Sequence, residues 1–172
     1  PSFKEGYYHK TSETIFSTSH LYRLLTANYL HGGLMHIMFN MLALYSLGEI
    51  VESLVGRVKF FIAYTFSGIG GAILSSSMNI YLNPNSLNFS VGASGAVFGI
   101  AGCLIVIAYY RRQKGTDLIY QINYKPLIVM LGLNLIMGQM LPNIDNWGHI
   151  GGLAAGCLIG GLYAFQIDRK VR

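Results

Sequence analysis

Gly148-His149-Ile150-Gly151-Gly152-Leu153-Ala154-Ala155-Gly156-Cys157-Leu158-Ile159-Gly160-Gly161 is the stretch that decides the fold. It carries no acidic or basic side chain apart from the histidine, and Gly148, Gly152, Gly156 and Gly160 recur every four residues. On a helix that spacing lines the four glycines up on one face. The apolar run extends over about 147–166, long enough to cross a hydrocarbon layer about 30 Å thick. Inside a membrane, helices associate by close packing, and small residues permit it. The run therefore predicts a spanning helix with one smooth ridge for a partner helix, and His149 beside that ridge.

Working outward, four more apolar runs precede it. They cover about 33–54, 58–80, the stretch from Gly92 to just before Arg111-Arg112, and 126–141. Each has a stop signal. Gly56-Arg57 is a short turn, Asn79 and Asn83-Pro84-Asn85-Ser86 end the second run, and Pro142-Asn143 ends the fourth. Arg111–Lys125 reads as a polar loop. The chain thus divides into an external loop region (1–30, with a short helix near 20–29), a five-span core (31–166) and a charged tail (167–172).

Composition agrees. The 172 residues are 52% hydrophobic and only 11% charged, against about 25% charged in an average soluble domain. Mean hydropathy is +0.44. A soluble all-helical protein is the alternative, but the long segments are apolar around their whole circumference. The net charge of +5 does not point to nucleic acid, because the basic residues cluster at span ends without interleaved aromatics. Cys103 and Cys157 lie within apolar runs and read as small buried residues. Neither a disulfide framework nor a metal site is expected.

Lys and Arg set the orientation. With five spans, Arg57, Lys59, Arg111, Arg112, Lys114, Lys125, Arg169, Lys170 and Arg172 share one side, against Lys4, Lys10 and Arg23 on the other. The positive-inside rule puts the tail in the cytoplasm, or its equivalent, and residues 1–30 outside. An external start without a signal sequence calls for one more span upstream of Pro1.

Polar residues inside spans are costly and mark function by default. His36 and Asn40 sit four residues apart on one helical face, where interhelical hydrogen bonding is the competing reading. Ser94, in Gly92-Ala93-Ser94-Gly95, opens the third span, where unpaired helix N–H groups favour developing negative charge. Small-residue packing through Gly95 and Gly99 is the competing reading there, and Ala96 departs from the soluble-hydrolase elbow GxSxG. His149 opens the fifth span.

Orientation puts the starts of spans three and five at one depth, and the ridge carrying Gly152 matches Gly95 and Gly99. That brings His149 to Ser94, with His36 and Asn40 in the same outer half. Ser94 is then the nucleophile and His149 its general base. Phe98, one turn after Ser94, is placed to stack on the imidazole. His36, Asn40 and the Ser94 N–H are the oxyanion donors. Asp145 is the acid nearest to His149 in sequence and lies in a loop, so a dyad is expected rather than a triad.

These motifs resemble those of the rhomboid intramembrane serine proteases. His36-Ile37-Met38-Phe39-Asn40 is similar to the family's HxxxN, Gly92-Ala93-Ser94-Gly95 to its GxSG, and Gly148-His149-Ile150-Gly151-Gly152 to its histidine motif. The likeness runs from about Tyr22 to Tyr163. Tyr22-Arg23 stands where the family usually has Trp-Arg.

The resemblance implies an all-α rhomboid-like helix bundle whose core has six spans. Five are visible here, and the first is missing from these residues. It implies a serine endopeptidase acting on transmembrane protein substrates in the lipid bilayer, with no cofactor. Substrates would have helix-weakening residues and a small residue before the cut. Alternatives are a non-catalytic rhomboid-like binding or quality-control protein, and a channel or transporter using His36, Asn40 and His149. A bacterial inner membrane fits the short loops, with an organelle membrane as the alternative. No sequence pattern encodes the oligomeric state.

Overall fold

The computed structural model describes residues 21–82, 92–115, 122–140 and 144–171. A short helix α1 (Tyr22–Thr26) continues into a 3-10 turn (Ala27–Tyr29). Five longer helices follow: α2 (Leu34–Val55), α3 (Arg57–Leu82), α4 (Ser94–Gln113), α5 (Lys125–Met140) and α6 (Asn146–Val171). No strand occurs among the described residues.

The punctuation works as its chemistry dictates. Gly56 adopts φ +85°, a left-handed conformation open to glycine, and its N–H donates to the Glu52 carbonyl at 2.7 Å. One residue thus ends α2 and releases α3. Around it, Arg57 and Glu52 pair at 3.1 Å on the exposed surface, where such a bond contributes little.

Four helices (α2, α3, α4 and α6) are long and apolar enough to cross a membrane. α5, the fourth expected span, has 16 residues, so it rises only about 24 Å. The neighbouring residues 141–143, with the Pro142-Asn143 stop, lie outside the described residues. So do residues 1–20, which include Tyr7 and Tyr8, and the Asn83-Pro84-Asn85-Ser86 break. α6 runs past the expected boundary at residue 166 to Val171, because a helix can leave the apolar layer without ending.

α4 is the axis of the bundle. Every residue from Gly95 to Leu104 is buried, as are Ile107 and Ala108. It packs along the glycine row of α6: Gly152 lies against the Gly95 carbonyl, Gly156 against the Gly99 carbonyl, and Gly160 against the backbone of Cys103. Contacts of this kind set Cα–H groups on carbonyl oxygens, at about 0.5–1 kcal/mol each. α3 joins the same seam. A Cβ at Gly70 would stand 2.8 Å from that of Ala155, and one at Gly71 would stand 2.7 Å from the Gly148 oxygen. Three backbones therefore meet where side chains would hold them apart. Cys103 is buried and Cys157 half-buried, both as free thiols, with Cys157 Sγ against Gly102.

The outer helices face the other way. Leu34, Tyr45 and Leu42 of α2 are exposed, and α5 buries only Leu131. A soluble monomer does not carry so much contiguous apolar surface; lipid is its solvent. At the basic end, the Tyr163 hydroxyl donates to the Lys59 carbonyl at 3.0 Å and Lys59 Nζ donates to Gln166 Oε1 at 2.6 Å, clasping α3 to α6. The protein is an all-helical, multi-pass membrane bundle.

Candidate active site

The turn before α4 is built on Gly92. Its φ of +135° lies in the region that favours glycine. A Cβ there would also stand 2.6 Å from His36 Cε1 and 2.9 Å from Nε2, so only glycine lets the ring approach. The Gly92 N–H donates to the Ala27 carbonyl at 2.9 Å, tying the turn to the segment before α2. Ala93 precedes α4 without a side-chain cap. The first N–H groups of α4 thus lack intrahelical acceptors, and Ser94, half-buried, stands among them.

His149 lies in the first turn of α6 and is 6% exposed. Its ring stacks on Phe98, with centroids 4.2 Å apart and planes within 6°. Phe98 is itself held by Ala101 and Leu131. Ser94 and Phe98 are four residues apart, hence on one face of α4, and the stack puts His149 on that face. Ser94 and Gly148 wall the same small cavity of about 20 Å³. Ser94 Oγ and the imidazole make no hydrogen bond in this structure; hydrogen bonds between catalytic groups commonly tighten only in the Michaelis or transition-state complex. Nδ1 of His149 is buried and has no hydrogen-bond partner among the described residues. Among the described residues no carboxylate hydrogen-bonds to Nδ1, and the aromatic stack orients the ring.

His36 and Asn40 reach the same region from α2. The Gly32 N–H donates to His36 Nδ1 over a long 3.4 Å. With Nδ1 accepting, a neutral ring carries its proton on Nε2, the nitrogen beside Gly92. His31 meets the same ring edge-on at 5.3 Å. Asn40 is 7% exposed, and its Nδ2 is a buried donor without a partner among the described residues.

Two contributors escape sequence reasoning. Asn28 is 4% exposed. Its amide donates to the Leu24 and Leu25 carbonyls at 3.3 and 3.2 Å, and its Oδ1 lies against Gly68 of α3. A polar residue in a polar segment gives no hint of that burial. Asn146 donates to the Leu135 carbonyl at 2.9 Å, fixing α5 beside the turn that carries His149. Among the described residues no cluster of His, Cys, Asp or Glu has a metal-binding arrangement.

A family model described as Rhomboid domain matches residues 18–165. The chain is 39% identical over 139 residues to RHOMBOID-like protein 4 of Arabidopsis thaliana, covering 81% of this chain and 33% of that protein. It is 40% identical over 148 residues to Rhomboid protease GluP of Bacillus subtilis (strain 168), covering 83% and 25%. A third relative, RHOMBOID-like protein 6, mitochondrial, of Arabidopsis thaliana, is 33% identical over 147 residues, covering 84% and 44%. The chain thus spans between a quarter and less than half of these relatives.

Proposed function

The chain belongs to the rhomboid family, and on that premise we propose that it is an intramembrane serine endopeptidase that cuts transmembrane segments with a Ser94–His149 dyad. The observation that carries the reading is the Phe98–His149 stack at 4.2 Å, which fixes the imidazole on the face of α4 that also bears Ser94.

Ser94 Oγ attacks the scissile carbonyl while His149 takes its proton. The oxyanion is held by the N–H at the start of α4, by His36 Nε2–H and by Asn40 Nδ2. His149 then returns the proton to the departing amine, and water resolves the acyl-enzyme. The imidazolium formed midway is stabilised by the Phe98 face, as cations over aromatic rings are. Removing one oxyanion donor commonly costs about 100- to 1000-fold in rate. Gly95 and Gly152 serve the site by letting α4 and α6 touch. The site faces the outer side of a bacterial inner membrane, with an organelle membrane as the alternative, and takes substrates with weakened helices and a small residue before the cut.

A serine-reactive fluorophosphonate tests this. Native protein in lipid bilayers is expected to be labelled, and Ser94→Ala and His149→Ala are not. Equal labelling of Ser94→Ala would remove Ser94 as nucleophile. A native protein that resists labelling and cleaves nothing would favour a non-catalytic binding role.

A further inference from the structure

We propose that Asp145 is a positioning residue that holds the hydrolytic water against Ser94; the inference rests on the protease reading above. Asp145 stands immediately before α6, and its Oδ1 accepts the Gly148 N–H at 2.9 Å. That caps the helix and uses one carboxylate oxygen. The other, Oδ2, is shut off from solvent, lies against Gly148 and has no hydrogen-bond partner among the described residues.

A cap alone does not call for that second oxygen. Serine or asparagine caps a helix as well as aspartate, and leaves no charged atom to bury. The carboxylate instead walls the cavity of about 20 Å³ together with Asn28, Gly92, Ser94, Gly95 and Gly148. That volume takes one water, which needs two to four polar partners. Asp145 Oδ2, the Ser94 hydroxyl and Asn28 Oδ1 are the partners at hand. Hydrogen bonds to a charged acceptor are roughly twice as strong as neutral ones, so Asp145 decides where that water sits.

The cavity matters only after acylation. Ser94 Oγ is then esterified to the substrate's carbonyl carbon. The held water moves out of the cavity past Ser94, bonds to that carbon through its oxygen and gives its proton to His149, which follows the cavity-lining Gly148. Collapse breaks the Oγ–carbon bond, the proton passes from His149 to Ser94 Oγ, and the carboxylic product leaves. Asp145 neither gives nor takes a proton in these steps. Phosphonylation of Ser94 consumes no water, so a change at Asp145 separates the two halves of the reaction.

The experiment uses the native protein, Asp145→Ser and Asp145→Asn in bilayers. Serine keeps a capping oxygen but is too short to serve both places; asparagine keeps the shape without the charge. Three readouts are needed: the rate of fluorophosphonate labelling, turnover of a transmembrane substrate, and intact mass after acid quench. Asp145→Ser is expected to label within about 2-fold of native while turnover falls about 10- to 100-fold through misplacement of the water and an acyl adduct accumulates on Ser94. Asp145→Asn is expected between the two. Native-like turnover in Asp145→Ser overturns the inference. So does a parallel fall of labelling and turnover, which marks a capping role alone. If native protein neither labels nor cleaves, the protease reading itself fails and takes this inference with it.

Discussion

Replacing Gly71 by alanine tests whether the glycine seam sets the catalytic geometry. A Cβ at Gly71 falls 2.7 Å from the Gly148 carbonyl oxygen, where ordinary contact begins at 3.4 Å. α3 and α6 must therefore part by about 0.7 Å at that level. The obstacle is backbone, so no side-chain rotation relieves it. Nor can α6 retreat freely, since on its other side Gly152 and Gly156 already lie against the Gly95 and Gly99 carbonyls of α4. Gly148 precedes His149 and Gly95 follows Ser94, so the displacement passes directly into the distance between the two. Productive geometry is held to within about 0.5 Å, and a misplacement of about 1 Å costs about 100-fold. Turnover is expected to fall about 10- to 100-fold, or about 1.4–2.7 kcal/mol in the barrier. Overpacking should add about 1–3 kcal/mol of destabilisation. Labelling rate, substrate turnover and thermal unfolding in one bilayer preparation read all three. Gly161→Ala, where a Cβ meets no heavy atom within 4 Å, is the matched control and should behave as native. Native-rate labelling of Gly71→Ala, or an equal loss in Gly161→Ala, would refute the reasoning.

Other substitutions probe the supports of the site. Phe98→Ala removes the stack on His149, a contribution of about 0.5–1.5 kcal/mol; labelling should slow several-fold and recover in Phe98→Tyr, and a failure of tyrosine to rescue would count against stacking. Asn28→Ala deletes two bonds to the Leu24 and Leu25 carbonyls, at about 1 kcal/mol each; a lower unfolding temperature and slower labelling are expected, and an unchanged pair of values would show that the turn does not support Gly92. Asn146→Ala releases the Leu135 carbonyl, and hydrogen exchange across 125–140 should rise, because α5 buries little else. Unchanged exchange there would mean that other contacts fix α5.

What was legible in the sequence follows from how local each signal is. Run lengths and Gly or Pro stops are local, so expected spans at 58–80 and 126–141 lie within two residues of α3 and α5. The period-four glycines of α6 name their own face, and they lie on Gly95 and Gly99. The α3 side of the seam is different. Gly68, Gly70 and Gly71 follow no helical period, because each meets a different partner: Asn28, Ala155 and Gly148. Such a pattern has meaning only once three helices are placed. Asn28 was illegible for the same reason, since its burial is conferred by Gly68, forty residues away. The helix α6 outlasts its apolar run: Asp168-Arg169-Lys170 end the run, whereas helical hydrogen bonding depends on backbone and continues to Val171.

The distribution of polar groups separates interhelical glue from a site. At the basic end of the bundle two pairings clasp α3 to α6: Tyr163 with the Lys59 carbonyl, and Lys59 with Gln166. Pairing is what glue requires, since an unpaired buried polar group costs about 1–3 kcal/mol. At the opposite end, Asn40 Nδ2, His149 Nδ1 and Asp145 Oδ2 are buried without partners among the described residues. Ser67 Oγ and Thr65 Oγ1 are also unpaired, but a hydroxyl on a helix can turn toward its own backbone; an amide, an imidazole and a carboxylate have no such freedom. Between the two ends, Ile100, Ala101, Cys103, Leu104, Ile107 and Ala108 form an apolar plug on α4. A bundle selected for stability alone would fill those positions with leucine. Polar groups without partners among the described residues, near Ser94 and next to backbone contacts too tight for a single methyl group, are the arrangement expected if the proposed site holds a charge that arises only during reaction.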